Sequence, residues 1–348
     1  MTPFFTALGW SDHFSDQMSD TEQSDLTPVR LTEVRRNRVI GLDAQNERVD
    51  LALSGDNVAT DMAVGDFVLS DGQRLVRVLT RKSVISRKAA GHTSQAQLIA
   101  ANIDTLFIVT SCNADFNEAR LERYVALAIE AETNPVIVMT KADMPLGDPQ
   151  SYVDRARAIS NRVDALAINS KDASDVARMN HWCGAGQTVA LVGSSGVGKS
   201  TIGRTLTGEN LLTADIREDD AKGRHTTTAR SMHLMHAGGW MIDTPGMREL
   251  ALHDAAAGIA TLFEDITDLV AECKFSDCKH ITEPGCAIRA AVDSGALTQD
   301  RVDRWQKLRD EDAENTGSIA TAKERGRKFS KVKRTAFKAK RVRRGEIE

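Results

Sequence analysis

The stretch Gly193–Ser200 reads GSSGVGKS and sits directly between an apolar strand candidate, TVALV, and the helix-capable STIGRTLTG. That placement constrains the fold more than any other feature. The pattern G-x-x-x-x-G-K-[ST] works only where a buried strand ends and a helix begins. Glycines let successive backbone N–H groups turn inward around phosphate oxygens, and the helix adds its positive N-terminus. Lys199 then reaches the β- and γ-phosphates, and the Ser200 hydroxyl can ligate Mg²⁺. Gly193, Ser194, Ser195, Gly196, Val197, Gly198, Lys199, Ser200 and Thr201 are therefore the candidate phosphate contacts. The other reading of such a segment is a glycine-rich strand–helix turn with no ligand.

The surrounding chain supplies the sheet that such a loop needs. Apolar runs at Ile103–Ser111, Asn134–Thr140, Val163–Asn169 and Gln187–Gly193 are separated by helix-capable segments, and SMHLMH and GGWMIDT add two more strands. Continuous apolar strands alternating with amphipathic helices predict a parallel sheet covered on both faces. Upstream, between Leu26 and about Ser94, short β-type stretches broken by Gly, Asp and Asn fit a small all-β barrel of the OB-fold kind, or a β-rich cap on the next domain. The first 25 residues are polar and acidic and read as a disordered tail. The expected organisation is a tail (1–25), an OB-fold (26–88), an α/β P-loop domain (89–254), a mostly α, cysteine-bearing domain (255–315) and a basic tail (316–348).

Two shorter motifs narrow the nucleotide. Asp243-Thr244-Pro245-Gly246 fits D-x-x-G at a strand end, where Asp243 can hold the Mg²⁺ water shell and Gly246 can offer its N–H to the γ-phosphate. Thr140-Lys141-Ala142-Asp143 follows the strand PVIVM and is similar to the guanine-reading N-K-x-D, with Thr140 in place of Asn. A carboxylate at Asp143 accepts from the N1–H and 2-amino group of guanine, donors that adenine lacks. Asp143 thus disfavours a P-loop ATPase or kinase. Asn169-Ser170-Lys171 loosely occupies the place of a second guanine loop. The guanine motif lies N-terminal to the phosphate loop, the reverse of the ordinary order. The domain reads as circularly permuted, which a compact sheet whose ends lie close together tolerates.

Cys273, Cys278, His280 and Cys286 form C-x4-C-x-H-x5-C. Three thiolates and an imidazole within fourteen residues suit a closed tetrahedral shell around one structural Zn²⁺, the other reading being free or redox cysteines. Cys112 and Cys183 stand apart and read as buried or incidental. Five cysteines in 348 residues do not make a disulfide scaffold and point to a reducing, cytoplasmic setting. No run approaches the ~18 apolar residues of a membrane span. The first basic residue, Arg30, follows five acids, unlike a signal peptide.

In this order, TKAD, GSSGVGKST, GRHTTT at Gly223–Thr228, DTPG and the cysteine cluster resemble the circularly permuted, ribosome-associated GTPases of the RsgA (YjeQ) family. The resemblance runs from about Leu26 to about Leu308. It implies an N-terminal OB-fold, a permuted GTPase domain and a C-terminal zinc domain. It also implies GTP hydrolysis with Mg²⁺, late in maturation of the small (30S) ribosomal subunit. The subunit would stimulate hydrolysis, and hydrolysis would time release. The expected partners are GTP, GDP, the small subunit and its rRNA; a monomer with no membrane contact is expected.

Met247 stands where many GTPases carry a water-orienting Gln, which predicts slow intrinsic hydrolysis. His225 is the candidate substitute, against the reading of a solvent-exposed loop histidine. Thr226, Thr227 and Thr228 are candidates for the second Mg²⁺ ligand. His225, Lys199, Asp243 and Gly246 make up the expected catalytic set.

Charge is segregated. Lys323–Arg344 holds twelve basic residues and one acid, a local +11, leaving −15 on the rest of a chain of formal charge −4. The tail, the barrel (with Arg30, Arg35, Arg36 and Arg38 on its first strand) and the cysteine module are three expected RNA-contact surfaces. Two function classes are compatible with this: an enzyme whose hydrolysis drives a cycle, and an RNA-binding assembly factor for which nucleotide is only a conformational ligand.

Overall fold

The structure, a computed structural model, describes residues 3–53, 58–88, 96–209, 231–243, 252 and 254–317. Its first elements correct the expectation of a disordered tail. Short helices α1 (Pro3–Ala7), α2 (Asp12–Ser15) and α3 (Asp20–Asp25) fold back onto the body. Phe5, Leu8, Trp10 and Phe14 are almost wholly buried. Three of these rings surround Phe67, with centroids at 5.8 Å (Phe5), 5.2 Å (Trp10) and 4.4 Å (Phe14). The acids that made the segment read as a tail do not enter the core; four large apolar side chains do, and their burial offsets the entropy of ordering the segment. A capping box starts α3, with the Ser19 N–H donating to Glu22 at 2.9 Å, and Arg77 of the barrel donates to the same carboxylate.

Strands β1 (Thr27–Val34), β2 (Arg38–Leu42), β3 (Arg48–Ala52), β4 (Phe67–Ser70) and β5 (Leu75–Val78) form one sheet in the order β3-β2-β1-β4-β5. A parallel bridge between Ala52 and Arg74, with the Ala52 N–H on the Gln73 carbonyl at 3.0 Å, joins its two outer strands. This closes the five-stranded ring of an OB-like barrel around Val29, Leu31, Val39, Leu51, Val68 and Leu75. Next, β6 (Val84–Lys88) and β7 (Ala96–Ala101) pair as a hairpin, so the expected domain boundary at 88/89 falls inside one unit.

The central sheet contains β8 (Thr105–Ser111), β9 (Asn134–Thr140), β10 (Asp164–Ala167), β11 (Thr188–Val192), β12 (Ser231–Leu234) and β13 (Trp240–Asp243). Its order is β10-β9-β8-β11-β13-β12; all neighbours are parallel except β12 with β13. Alternation along each strand feeds two cores. Leu106, Ile108, Ile137 and Met139 pack on the face covered by α4 (Glu118–Glu130) and α5 (Pro149–Arg157). Phe107, Val109, Val136 and Val138 pack on the other, under α6 (Ala173–Val176) and α7 (Lys199–Thr207). Burial on both faces is why these strands read as unbroken apolar runs.

The last region, α8 (Ala256–Leu262), α9 (Glu264–Ala271), α10 (Ala287–Asp293) and a helix from 299 to 317, docks on α4. Gly258 lies so close to α4 that a Cβ there would sit 2.2 Å from the Ala126 carbonyl oxygen. Its N–H donates to the Glu130 carboxylate at 2.7 Å. Glu122, fully buried on α4, accepts from Arg304 at 2.8 Å. Ile259, Leu262 and Phe263 share one core with Leu121 and Val125. No helix among the described residues is long and apolar enough to cross a membrane.

Candidate functional site

The phosphate loop leaves the C-terminal end of β11, at the middle of the sheet, and enters α7 through Gly198. Two of its glycines are required. At Gly193 (φ 136°) a Cβ would fall 2.0 Å from the Val109 carbonyl oxygen of β8, and Gly198 stands at φ 99°. The Lys199 ammonium lies over the loop and donates to the carbonyls of Gly193 (2.6 Å) and Ser194. Ser195 and Gly196 are exposed, whereas Val197 is buried against α7 and the second core.

Thr140, the first residue of the segment similar to N-K-x-D, has a structural partner in the phosphate loop. It is fully buried at the end of β9, and its hydroxyl lies 2.6 Å from the Val197 carbonyl oxygen and 3.1 Å from that of Thr110. The hydroxyl carries one proton, which serves the nearer acceptor, so residue 140 pins the phosphate loop to the guanine loop. Lys141 adopts the left-handed conformation (φ 59°), and Asp143 beyond it is exposed. The Ala142 N–H on the Ile168 carbonyl (3.2 Å) ties this turn to the end of β10. There, Asn169 Oδ1 accepts from the Lys171 N–H at 3.0 Å, and Asp175 Oδ2 accepts from the Asn169 N–H at 2.6 Å. A Cβ at Gly198 would meet Ser170 Oγ at 3.2 Å and Thr140 Cγ2 at 3.4 Å. The three loops therefore converge on one glycine, despite their permuted order in sequence. Residues Thr110 and Asp175 carried no motif signal; their roles come from strand-end geometry alone.

Asp243 ends β13, the strand next to β11, and is half-buried. Its neighbour Ile242 pairs with Ala190, three residues before the phosphate loop. Gly246 and the rest of D-x-x-G, Met247, His225, Thr226, Thr227 and Thr228 lie outside the described residues, as does the basic tail from 318.

The cysteine cluster bridges α9 and α10. The donor atoms of Cys273, Cys278, His280 and Cys286 all lie within 4.8 Å of one another. His280 Nδ1 is 3.5 Å from Sγ of both Cys273 and Cys286. Bond lengths of about 2.3 Å to sulfur and 2.0–2.1 Å to nitrogen give a tetrahedral N···S edge of about 3.6 Å, so the donor set fits Zn²⁺. Burial and the Arg309 charge lower the His280 pKa, which keeps the imidazole neutral and its lone pair available. One residue went unseen in the sequence. The Glu283 carboxylate accepts the backbone N–H groups of Lys279, Ile281 and Thr282, each at 3.0 Å, and so shapes the loop that carries His280.

Of the arginines expected to carry RNA, Arg30 is not available. It is 1% exposed and donates to the Leu8 carbonyl, to Asn102 O (3.2 Å) and to Thr188 Oγ1 (2.8 Å). It joins the N-terminal segment, the barrel and the central sheet. Burial pulls it down to about 10, which still leaves it cationic. Arg35 pairs with Glu33 and Arg38 with Asp50, each at 2.8 Å, and Arg36 is exposed.

Comparison with known proteins matches residues 78–253 to the family model described as RsgA GTPase. The small ribosomal subunit biogenesis GTPase RsgA of Mesorhizobium japonicum is 50% identical over 321 residues, covering 90% of this chain and 92% of that protein. The small ribosomal subunit biogenesis GTPase RsgA 2 of Vibrio parahaemolyticus is 44% identical over 342 residues, covering 97% and 93%. Among solved structures, YjeQ from Thermotoga maritima aligns with a TM-score of 0.59 at 21% identity, over 81% of this chain and 97% of that one. YloQ, described as a circularly permuted GTPase, aligns at 0.56 and 21%, over 86% and 96%.

Proposed function

This chain belongs to the RsgA GTPase family and is a GTP-hydrolysing enzyme, and on that premise we propose that it acts in late maturation of the small ribosomal subunit, binding rRNA. The subunit stimulates hydrolysis, and hydrolysis times release. The observation that carries the nucleotide part is the meeting of Thr140, Ser170 and Gly198 at one point. The subunit is supported by the relatives named for it at 44–50% identity.

In this reading Gly193–Gly198 wrap the phosphates with their N–H groups, while Thr201 closes the loop's helical end. Lys199 exchanges its carbonyl partners for the β- and γ-phosphates. Asp143 reads guanine beside Lys141, and Thr140 holds the two loops in register. Ser200 and one of Thr226, Thr227 or Thr228 would hold Mg²⁺, with Asp243 on its water shell, and the ion would supply charge neutralisation at the phosphates. Gly246 offers its N–H to the γ-phosphate, and His225 positions the attacking water, since Met247 has no useful hydrogen bond to give it. Cys273, Cys278, His280 and Cys286 would hold one Zn²⁺ with all four positions filled by protein, a structural role. The protein works as a cytoplasmic monomer.

The test is the GTPase rate of the full chain with and without purified small subunits. A slow basal rate that rises at least tenfold on adding subunits is expected. An unchanged rate, with GTP bound, overturns the subunit-dependent reading.

A further inference from the structure

A cavity of about 270 Å³ opens between the N-terminal half of α4 and the helix 299–317, with no residue of the nucleotide loops or the cysteine cluster in its lining. Each helix contributes two cations one turn apart: Arg120 and Arg123 from α4, Arg304 and Lys307 from its partner. The floor is apolar, from Ala119 and Leu308. The arginines are held by carboxylates, Arg120 by Asp115, Arg123 by Glu311, and Arg304 by Glu122, Asp300 and Glu118, none of which lines the cavity. Lys307 is exposed and makes no ion pair with a described residue. Arg123, which lines the cavity, has a buried Nε with no hydrogen-bond partner among the described residues, an unmet donor. The N-terminus of the thirteen-residue α4, capped by Asn117, adds its positive dipole end to the same opening.

From this arrangement we infer that the cleft is a contact for the phosphodiester backbone of RNA, taking one or two consecutive phosphates; the inference rests on the proposed function and names a surface for it. Guanidinium forks that already spend some N–H groups on carboxylates keep others in a planar fan suited to phosphate oxygens, and Lys307 supplies a mobile point charge. Ala119 and Leu308 offer ribose carbons an apolar floor. The chain beyond the cleft favours an RNA strand over a free anion. In sequence, the helix that forms one wall is followed within the same chain by Lys323–Arg344, where twelve of the residues are basic, a charge content that suits a polyanion better than a single small anion.

The experiment uses the full chain and a fluorescent twenty-nucleotide single-stranded RNA, titrated over a series of salt concentrations. The variants are Lys307→Gln, Lys307→Glu and Arg120→Gln. Lys307→Gln is expected to flatten the slope of log affinity against log salt by about 0.7 and to weaken binding about fivefold at 0.1 M salt. Lys307→Glu should weaken it further. Melting temperature and basal GTPase rate should stay unchanged in both Lys307 variants. Equal affinity and slope in wild type and Lys307→Glu overturn the inference, as does a wild type that does not bind the RNA. Displacement of the RNA by millimolar pyrophosphate from wild type but not from Lys307→Glu, beyond matched chloride, reassigns the cleft to a small free anion and also overturns it. Small-subunit stimulation of the wild-type GTPase is scored separately. Its absence sinks the proposed function, whereas its presence beside unchanged RNA binding in the variants sinks the cleft alone.

Discussion

Replacing Thr140 by valine removes one hydroxyl and almost no volume, so it isolates the bond that joins the guanine loop to the phosphate loop. In the wild type that hydroxyl is fully buried, 2.6 Å from Val197 O and 3.1 Å from Thr110 O. Valine leaves the Val197 carbonyl facing a methyl group. Losing a buried neutral hydrogen bond and stranding its acceptor costs about 1–3 kcal/mol. The stranded carbonyl belongs to the phosphate loop itself, so much of the cost falls on holding that loop in its phosphate-ready shape. At about 1.4 kcal/mol per decade, nucleotide affinity should fall between about fivefold and a hundredfold. Any remainder should appear as a lower melting temperature. The assay is titration of Thr140→Val with a fluorescent GDP analogue, alongside thermal melts with and without nucleotide. Thr140→Ser, which keeps the hydroxyl, should recover most of the affinity. If Thr140→Val binds as wild type and melts as wild type, the bridge between the loops contributes nothing, and residue 140 has no part in shaping the site.

Asp143→Asn should lose guanine nucleotide affinity about a hundredfold or more and gain preference for a base bearing a carbonyl where guanine has its amino group, because the side chain then donates as well as accepts; competition with xanthosine diphosphate reads this directly. Gly258→Ala forces a Cβ to within 2.2 Å of the Ala126 carbonyl oxygen, so α8 must shift off α4. A loss of about 1–3 kcal/mol is expected, seen as a melting temperature several degrees lower, while nucleotide affinity is kept; an unchanged melt would count against this packing. Metal analysis should return about one zinc per chain, and a strong chelator should lower the melting temperature, whereas a chelator-insensitive melt would argue against a structural ion. The Glu283 carboxylate, held down to about 2 by the N–H groups it accepts, stabilises its loop fully above its ordinary value near 4.5 and loses that contribution as pH falls from there towards 2. Glu283→Gln should therefore release zinc to chelator faster at pH 7, and its melting temperature should change less than that of wild type across that acid window.

Much of the site was legible because phosphate and metal chemistry restrict residue types at short spacing. Gly193–Ser200, Thr140–Asp143 and Cys273–Cys286 each carry their geometry in a few consecutive residues, and the double-faced burial of the central strands made the sheet readable as well. What escaped depended on distant partners. Phe5, Leu8, Trp10 and Phe14 looked like apolar interruptions in an acidic segment until Phe67 stood between them. The cluster FFTALGW was the signal available, and the acids around it outweighed it. Arg30 read as one of a row of surface cations, since nothing local to β1 announces acceptors at Leu8, Asn102 and Thr188. Glu122 and Arg304, 182 residues apart in sequence, meet only once the third region docks on α4.

The docking of the first residues also sets an order of events during synthesis. The Ala7 carbonyl accepts the N–H of Gly186, and Arg30 holds Leu8 against Thr188. These partners leave the ribosome more than 150 residues after α1. Phe5, Trp10 and Phe14 can meet Phe67 as soon as the barrel is made, but the bonds that seat α1 against the central sheet must wait for β11. The two halves of the same docking are thus completed at different stages of synthesis.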